Sequence, residues 1–292
     1  MSPTVQVSDG VSIAYECWGK KGPVVVFIHG WSGSRHYFDL NAGPLSKHCR
    51  VYALDLRSHG ESGRPTWGHH VARLAKDVYD VLEFLDLWDV TIVGTSLGAS
   101  IIWSFFELFG HAHLAKAVFV DQPPLQNRAE DWALGSNGCY DAASLARLQT
   151  TLKLDFESIA QGNLTDCLSR PIRPDVLDAL KEETMRADPL ALSKIMADHT
   201  QLDWRPTLPR IDIPCLNVIG GKSGLCPLEG CQYITQHVPD CEEVIFEDCN
   251  HWLYLEDPLR FNALIADFAM RPRVAEASDL QAPIQSLETY HA

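Results

Sequence analysis

The 292-residue chain is 46% hydrophobic, enough to bury one large core with room for an insertion. Its 24 basic and 38 acidic side chains leave a formal net charge of −14, which argues against nucleic acid and anionic membrane surfaces as partners. The longest apolar runs, such as Val24–Ile28, are strand-sized, so no membrane span is expected, and the opening residues lack the charged and apolar regions of a secretory signal.

In chain order, Val5–Gln6 and Val11–Cys17 flank Asp9-Gly10 and predict an opening hairpin. Val24–Ile28, bounded by Gly22-Pro23 and His29-Gly30, predicts a buried strand, and Arg50–Leu56 the next one. From His69 to Leu87 the apolar residues Val71, Leu74, Ala75, Val78, Leu82 and Leu85 have the spacing of an amphipathic helix. Val90–Val93 is a β-branched run, and Leu97–Leu108 is apolar on every side, as in a buried helix. Leu114–Val120 predicts a strand ending at Asp121. Residues 122–205 contain only helix-like periodicities, punctuated by Asn163, Pro171, Pro174 and Pro189. Strand rhythm returns at Ile213–Ile219 and Cys241–Phe246, followed by helical patterns at Leu228–Val238 and Pro258–Met270. Residues 272–292 read as a polar surface tail.

Strands alternating with helices imply an α/β fold: a mostly parallel central β-sheet flanked by helices, with its chemistry at the carboxyl ends of the strands. The core is expected over residues 1–121 and 206–271, with 122–205 inserted as a helical cap over the active edge.

The organising stretch is Gly94-Thr95-Ser96-Leu97-Gly98, a G-x-S-x-G where strand gives way to helix. So tight a turn leaves almost no room for side chains two residues before and after the serine, which Gly94 and Gly98 satisfy, and it points the Ser96 hydroxyl away from the sheet. A serine hydroxyl is a poor nucleophile at neutral pH, so a base, an orienting acid and an anion site must come from elsewhere in the chain.

With this turn, Phe27-Ile-His-Gly-Trp-Ser-Gly33, Asp55-Leu-Arg-Ser-His-Gly-Glu-Ser62 and a late His251 before Leu255-Glu-Asp-Pro258, the chain resembles the α/β-hydrolases over about residues 5–270. The resemblance implies Ser96 as nucleophile, His251 as general base, and the backbone N–H groups of Trp31 and Leu97 as oxyanion hole. Leu97 opens a helix, where N–H groups are unpaired and the dipole favours negative charge. Trp31 is expected to line the pocket as well. His29 and His59 are assigned to structural turns, and His69, His70, His111, His113 and His199 to the surface or the cap. Asn250 stands where the family mostly has glycine, a change that Asn can absorb by tolerating the left-handed region.

The acid departs from the family's commonest pattern. Ser223, beside Lys222, occupies the position after Ile213–Ile219 where most members have Asp, and a neutral serine cannot stabilise an imidazolium as a carboxylate does. Some relatives take the acid from the end of the strand after the nucleophile turn, which here is Asp121. The other readings are a turn-capping role for Asp121 and Glu229 as substitute acid.

The implied activity is cleavage of an ester or lactone of a small apolar or aromatic acyl compound through an acyl-enzyme, with no cofactor and no metal. Thioesterase or cyclase chemistry, C–C bond hydrolysis and a small-molecule receptor retaining the triad are the rivals. The aromatic residues Trp103, Phe105, Trp132, Tyr140, Phe156 and Trp204 line the cleft or belong to the core. Nine cysteines, an odd and scattered set without a CxxC pair, read as reduced thiols in a cytoplasmic protein.

Overall fold

The computed structural model describes residues 2–272. The tail expected over 272–292 therefore lies, apart from Pro272, outside the described residues. Eight strands form one sheet in the order β1-β2-β4-β3-β5-β6-β7-β8. They are β1 (Thr4–Gln6), β2 (Ser12–Trp18), β3 (Val24–Ile28), β4 (Arg50–Leu54), β5 (Val90–Thr95), β6 (Leu114–Val120), β7 (Cys215–Gly220) and β8 (Cys241–Phe246). The first hairpin is antiparallel, with Val5 opposite Ile13, and β2 runs antiparallel to β4; all remaining pairings are parallel. The central strands β3, β5, β6 and β7 are buried along their whole length, as their unbroken apolar runs require when helices cover both faces. The edge strand β8 carries Glu242 and Glu243 and is only partly buried.

The helices are α1 (Asp39–Leu45), α2 (Val71–Phe84), α3 (Leu97–Phe109), α4 (Ala142–Leu154), α5 (Phe156–Asp166), α6 (Pro174–Met185), α7 (Pro189–His199), α8 (Leu228–His237), α9 (Leu253–Glu256) and α10 (Pro258–Met270). Helix α2 starts at Val71, the first apolar residue of its pattern and two residues after His69, because His70 acts as its cap, accepting from the N–H of Arg73. Neither α1, which carries Gly43 and Pro44, nor the single turn α9 has a sequence signal of its own.

From β3 the chain moves outward to β4 and then returns to place β5 on the other side of β3. The loops leaving β3 and β5 therefore diverge, opening a crevice at the carboxyl ends of the strands. Helices α4–α7, all between β6 and β7, are tied to that edge. The Trp31 indole N–H donates to Leu192 O of α7 at 3.0 Å, Asn163 Nδ2 of α5 to Ser32 Oγ at 3.0 Å, and the N–H of Val71 to Asp198 Oδ2 at 2.8 Å.

Candidate active site

Ser96 joins β5 to α3 with φ 53° and ψ −120°, a left-handed conformation that a non-glycine residue holds only where its surroundings impose it. Those surroundings are backbone. A Cβ on Gly94 would lie 2.4 Å from the Gly98 carbonyl, and one on Gly98 would lie 2.4 Å from Ile28 O at the end of β3. A Cβ on Gly30 would come 3.2 Å from Ser96 Cβ, so the chain leaving β3 passes directly beside the serine. This brings the Trp31 N–H, which has no protein acceptor among the described residues, to the same corner as Leu97 at the first position of α3.

Asp121, at the end of β6, also has positive φ (49°) and is fully buried. Its Oδ2 accepts from His251 Nδ1 at 2.6 Å and from Ser223 Oγ at 2.7 Å, and its Oδ1 accepts from the Gly220 N–H at 2.9 Å. The residue at the family's commonest acid position is thus a hydrogen-bond donor to the carboxylate at the alternative one. When neutral, a His251 that donates this bond carries its proton on Nδ1, which leaves Nε2 with its lone pair. Burial works against the charged imidazole, yet the hydrogen bond to Asp121 and the contact with Cys226 outweigh it, and the His251 pKa is raised above its ordinary value. Glu229, on α8, makes no such contact with the histidine.

Ser96 and His251 line one cavity of about 410 Å³, but the Ser96 hydroxyl donates to Gln122 Oε1 at 3.3 Å instead of to the imidazole. Gln122 in turn is held by its Nε2 on Gln126 Oε1 at 3.1 Å. Sequence reasoning gave Gln122 no role; its place directly after Asp121 is the signal that was there to use. Cys226 is the second residue it passed over. Its Sγ lies 3.9 Å from His251 Nδ1 and donates to Asp121 O at 3.2 Å. The neighbouring Cys231 lowers the Cys226 pKa, against the effect of burial, and His251 adds to the lowering.

Asn250 does not use the left-handed region. Its side chain is a bracket instead: Oδ1 accepts from the N–H groups of Gly224 and His251 at 2.9 and 2.7 Å, and Nδ2 donates to Asp166 O of α5 at 3.1 Å. One amide thereby joins the histidine loop, the Ser223 loop and an inserted helix.

His29 and His59 are structural, as expected. His29 Nδ1 donates to Gly30 O at 2.7 Å while its Nε2 accepts from the N–H of Leu56 at 3.0 Å, holding the Trp31 turn against the end of β4. Of the histidines assigned to surface or cap, His69, His113 and His199 are buried. His113 is stacked on Trp88, and His199, on α7, lines the cavity with its Nδ1 unpartnered among the described residues. The aromatic walls of the cavity are Trp31, Tyr37, Trp252 and Tyr254. Trp103, Phe105, Trp132 and Trp204 are buried in the core, and Phe156 packs beside Leu152 and Leu192.

The family model described as the alpha/beta hydrolase fold matches residues 23–258. The chain belongs to the α/β-hydrolase family. This α/β-hydrolase is 28% identical to a non-heme chloroperoxidase of Kitasatospora aureofaciens over 91% of its own length and 98% of the relative's. It is 35% identical to a bifunctional esterase/perhydrolase of Acinetobacter calcoaceticus over 77% of its own length and 83% of the relative's. Its fold superposes on an esterase from Exiguobacterium antarcticum with a TM-score of 0.88 at 21% identity, covering 93% of this chain and all of that one. As an enzyme of this family, the hydrolase has no helix long and apolar enough to cross a membrane among its described residues.

Proposed function

We propose that this hydrolase cleaves a carboxylic ester or lactone of a small compound through an acyl-enzyme on Ser96, with His251 as general base and Asp121 as the orienting acid. The observation that carries the reading is the 2.6 Å hydrogen bond from His251 Nδ1 to Asp121, made by a histidine that lines the same cavity as Ser96. Rotation about the Ser96 Cα–Cβ bond exchanges Gln122 for His251 Nε2 as the hydroxyl's acceptor. Ser96 Oγ then attacks the acyl carbon while Nε2 takes its proton. The carbonyl oxygen gathers negative charge between the N–H groups of Trp31 and Leu97. Such a donor is worth about 10² to 10³ in rate where it has been removed from other enzymes. The imidazolium gives its proton to the departing alcohol. Water, deprotonated by the same nitrogen, then releases the acid and restores Ser96.

The helices between β6 and β7 are read as a lid, because Leu148, Ile159, Asn163, Met196 and His199 supply much of the cavity wall. That wall is mixed, apolar at Leu148, Ile159 and Met196 but polar at Gln122, Gln126, Asn163 and His199. The substrate is therefore a compact acyl compound with a hydrogen-bonding group besides the ester, rather than a wholly apolar one. Nine free thiols among the described residues suit a reducing compartment.

A fluorophosphonate probe should label the protein, and Ser96→Ala should lose both labelling and steady turnover of p-nitrophenyl esters, by about 10⁵ or more. Labelling that persists in the alanine variant would reject Ser96 as the nucleophile. Turnover that stops after one equivalent would support the receptor reading instead.

A further inference from the structure

Cys226 has no part in the hydrolysis, yet its sulfur stands 3.9 Å from His251 Nδ1, the nitrogen that bonds Asp121. Among the described residues, Asp121, Cys226 and His251 form a group whose carboxylate oxygen, thiol sulfur and imidazole nitrogen all lie within 4.8 Å of one another, and all three residues are buried. Cys226 and His251 line the cavity, which gives a small ion a route to them. A sulfur, a nitrogen and an oxygen converging at this spacing make a ligand set for a borderline-soft divalent cation.

We infer that Asp121, Cys226 and His251 form a Zn²⁺ site whose occupation switches the hydrolase off. The inference rests on the proposed role of His251 as general base.

The geometry is close to that of a bound ion. Tetrahedral Zn²⁺ with a sulfur at roughly 2.3 Å and nitrogen and oxygen near 2.1 Å sets its ligand atoms about 3.4–3.6 Å apart. Here Nδ1 and Oδ2 are 2.6 Å apart and Sγ and Nδ1 3.9 Å apart. The carboxylate and imidazole must separate by about 1 Å, and the thiol, within 4.8 Å of both ligand atoms, must move in by up to about 1.2 Å. Cys226 lies in the loop between β7 and α8 and Asp121 keeps the Gly220 N–H on its other oxygen, so neither shift needs a strand to move. Water from the cavity completes the fourth position.

The proton balance explains the inhibition. In the neutral, base-competent state, His251 holds one proton on Nδ1, donated to the Asp121 carboxylate, and Cys226 holds one on sulfur. Afterwards Zn²⁺ is bound by the Cys226 thiolate, the Asp121 carboxylate and the lone pair of Nδ1. The imidazole remains neutral with its single proton now on Nε2, and one proton, that of the thiol, has left to solvent. The bound cation and two anionic ligands sum to zero charge, which suits a buried site. The tautomer is the point: with Nε2 protonated, no lone pair faces Ser96, and the general base is lost while the cavity itself stays open.

The experiment titrates ZnCl₂ into the enzyme during ester hydrolysis, and Cd²⁺ into Ser96→Ala, whose readout is the ultraviolet charge-transfer band of a cadmium thiolate. Zn²⁺ should lower kcat without raising KM, EDTA should restore the rate, and Cys226→Ala should be less sensitive by more than about tenfold while still turning over ester. Ser96→Ala should bind Cd²⁺ with the thiolate band, and Ser96→Ala/Cys226→Ala should lose it. Equal Zn²⁺ sensitivity with and without the thiol, or a Cd²⁺ band unchanged by Cys226→Ala, would overturn the site. If Cys226→Ala loses hydrolysis outright, the Cd²⁺ arm decides, since it needs no activity. If Ser96→Ala still hydrolyses ester, the proposed function fails while the Cd²⁺ arm continues to report on the three ligands.

Discussion

The Asp121 carboxylate is held by three donors, and they do different work. The His251 bond orients the base, whereas Ser223 Oγ and the Gly220 N–H satisfy a carboxylate that burial would otherwise penalise. Asp121→Asn should keep the fold and lower kcat by about 10³ to 10⁴, the cost of the equivalent change in a trypsin-like enzyme. Ser223→Ala removes a hydrogen bond to a buried charge. It should lower unfolding free energy in urea by about 1.5–3 kcal/mol, with a smaller loss of rate than Asp121→Asn. Because Ser223 Oγ is 2.7 Å from the acid, Ser223→Asp in the Asp121→Asn background sets a carboxylate beside the same imidazole and should recover part of the activity. Near-normal kcat in Asp121→Asn would show that the imidazole is oriented by another group.

At the scale of elements, the site depends on how closely β3, β5 and α3 approach. Gly98 is as tight a point as Gly94, since a side chain there meets the Ile28 carbonyl 2.4 Å away, and backbone in a central strand cannot give. Gly98→Ala should cost at least about 3 kcal/mol and abolish fluorophosphonate labelling, because the collision pushes α3 off β3 and spoils the oxyanion corner. Gly162 offers the contrast. It sits within α5 with nothing inside 4 Å of an added Cβ, so Gly162→Ala should raise stability by about 0.5–1 kcal/mol through helix propensity alone. Thermal melts of the two variants moving in the same direction would refute this account of the packing.

Across the whole molecule, two buried neutral histidines, His29 and His59, together with the buried His199, make the fold acid-sensitive. Burial is the main cause in each. It lowers His29 to about 4, against the Gly30 carbonyl bond, and lowers His59 to about 3, with His29 beside it adding to the shift. In the unfolded chain each takes up its proton near the ordinary value of 6.5. Between there and about pH 4 the unfolded state therefore binds more protons than the folded one, so stability falls as pH falls. The slope is about 1.4 kcal/mol per histidine per pH unit within that window. His59→Asn should flatten it in urea titrations run from pH 7 to pH 4; an unchanged slope would mean that other groups carry the acid transition.

What the sequence determined by itself is the part that neighbouring residues encode. Apolar runs fixed the strands from Val24–Ile28 to Cys241–Phe246, and Gly94 and Gly98 fixed the turn at Ser96. The absence of a carboxylate at Ser223 pointed to Asp121. Each of these signals spans a few residues, where sterics and burial act directly on the local chain. The tertiary structure decided what depends on loops meeting across the sheet. The pairing of β6 with β7, Val120 opposite Val218, sets the Ser223–Cys226 loop beside Asp121 and so brings a thiol to the histidine. The Asn250 bracket, the Gln122 acceptor for Ser96 and the placing of Tyr37, Trp252 and Tyr254 beside Trp31 in the cavity wall arise in the same way. A loop side chain's neighbours are chosen by strand register and by helices inserted far away in sequence, and no short pattern in the chain carries that information.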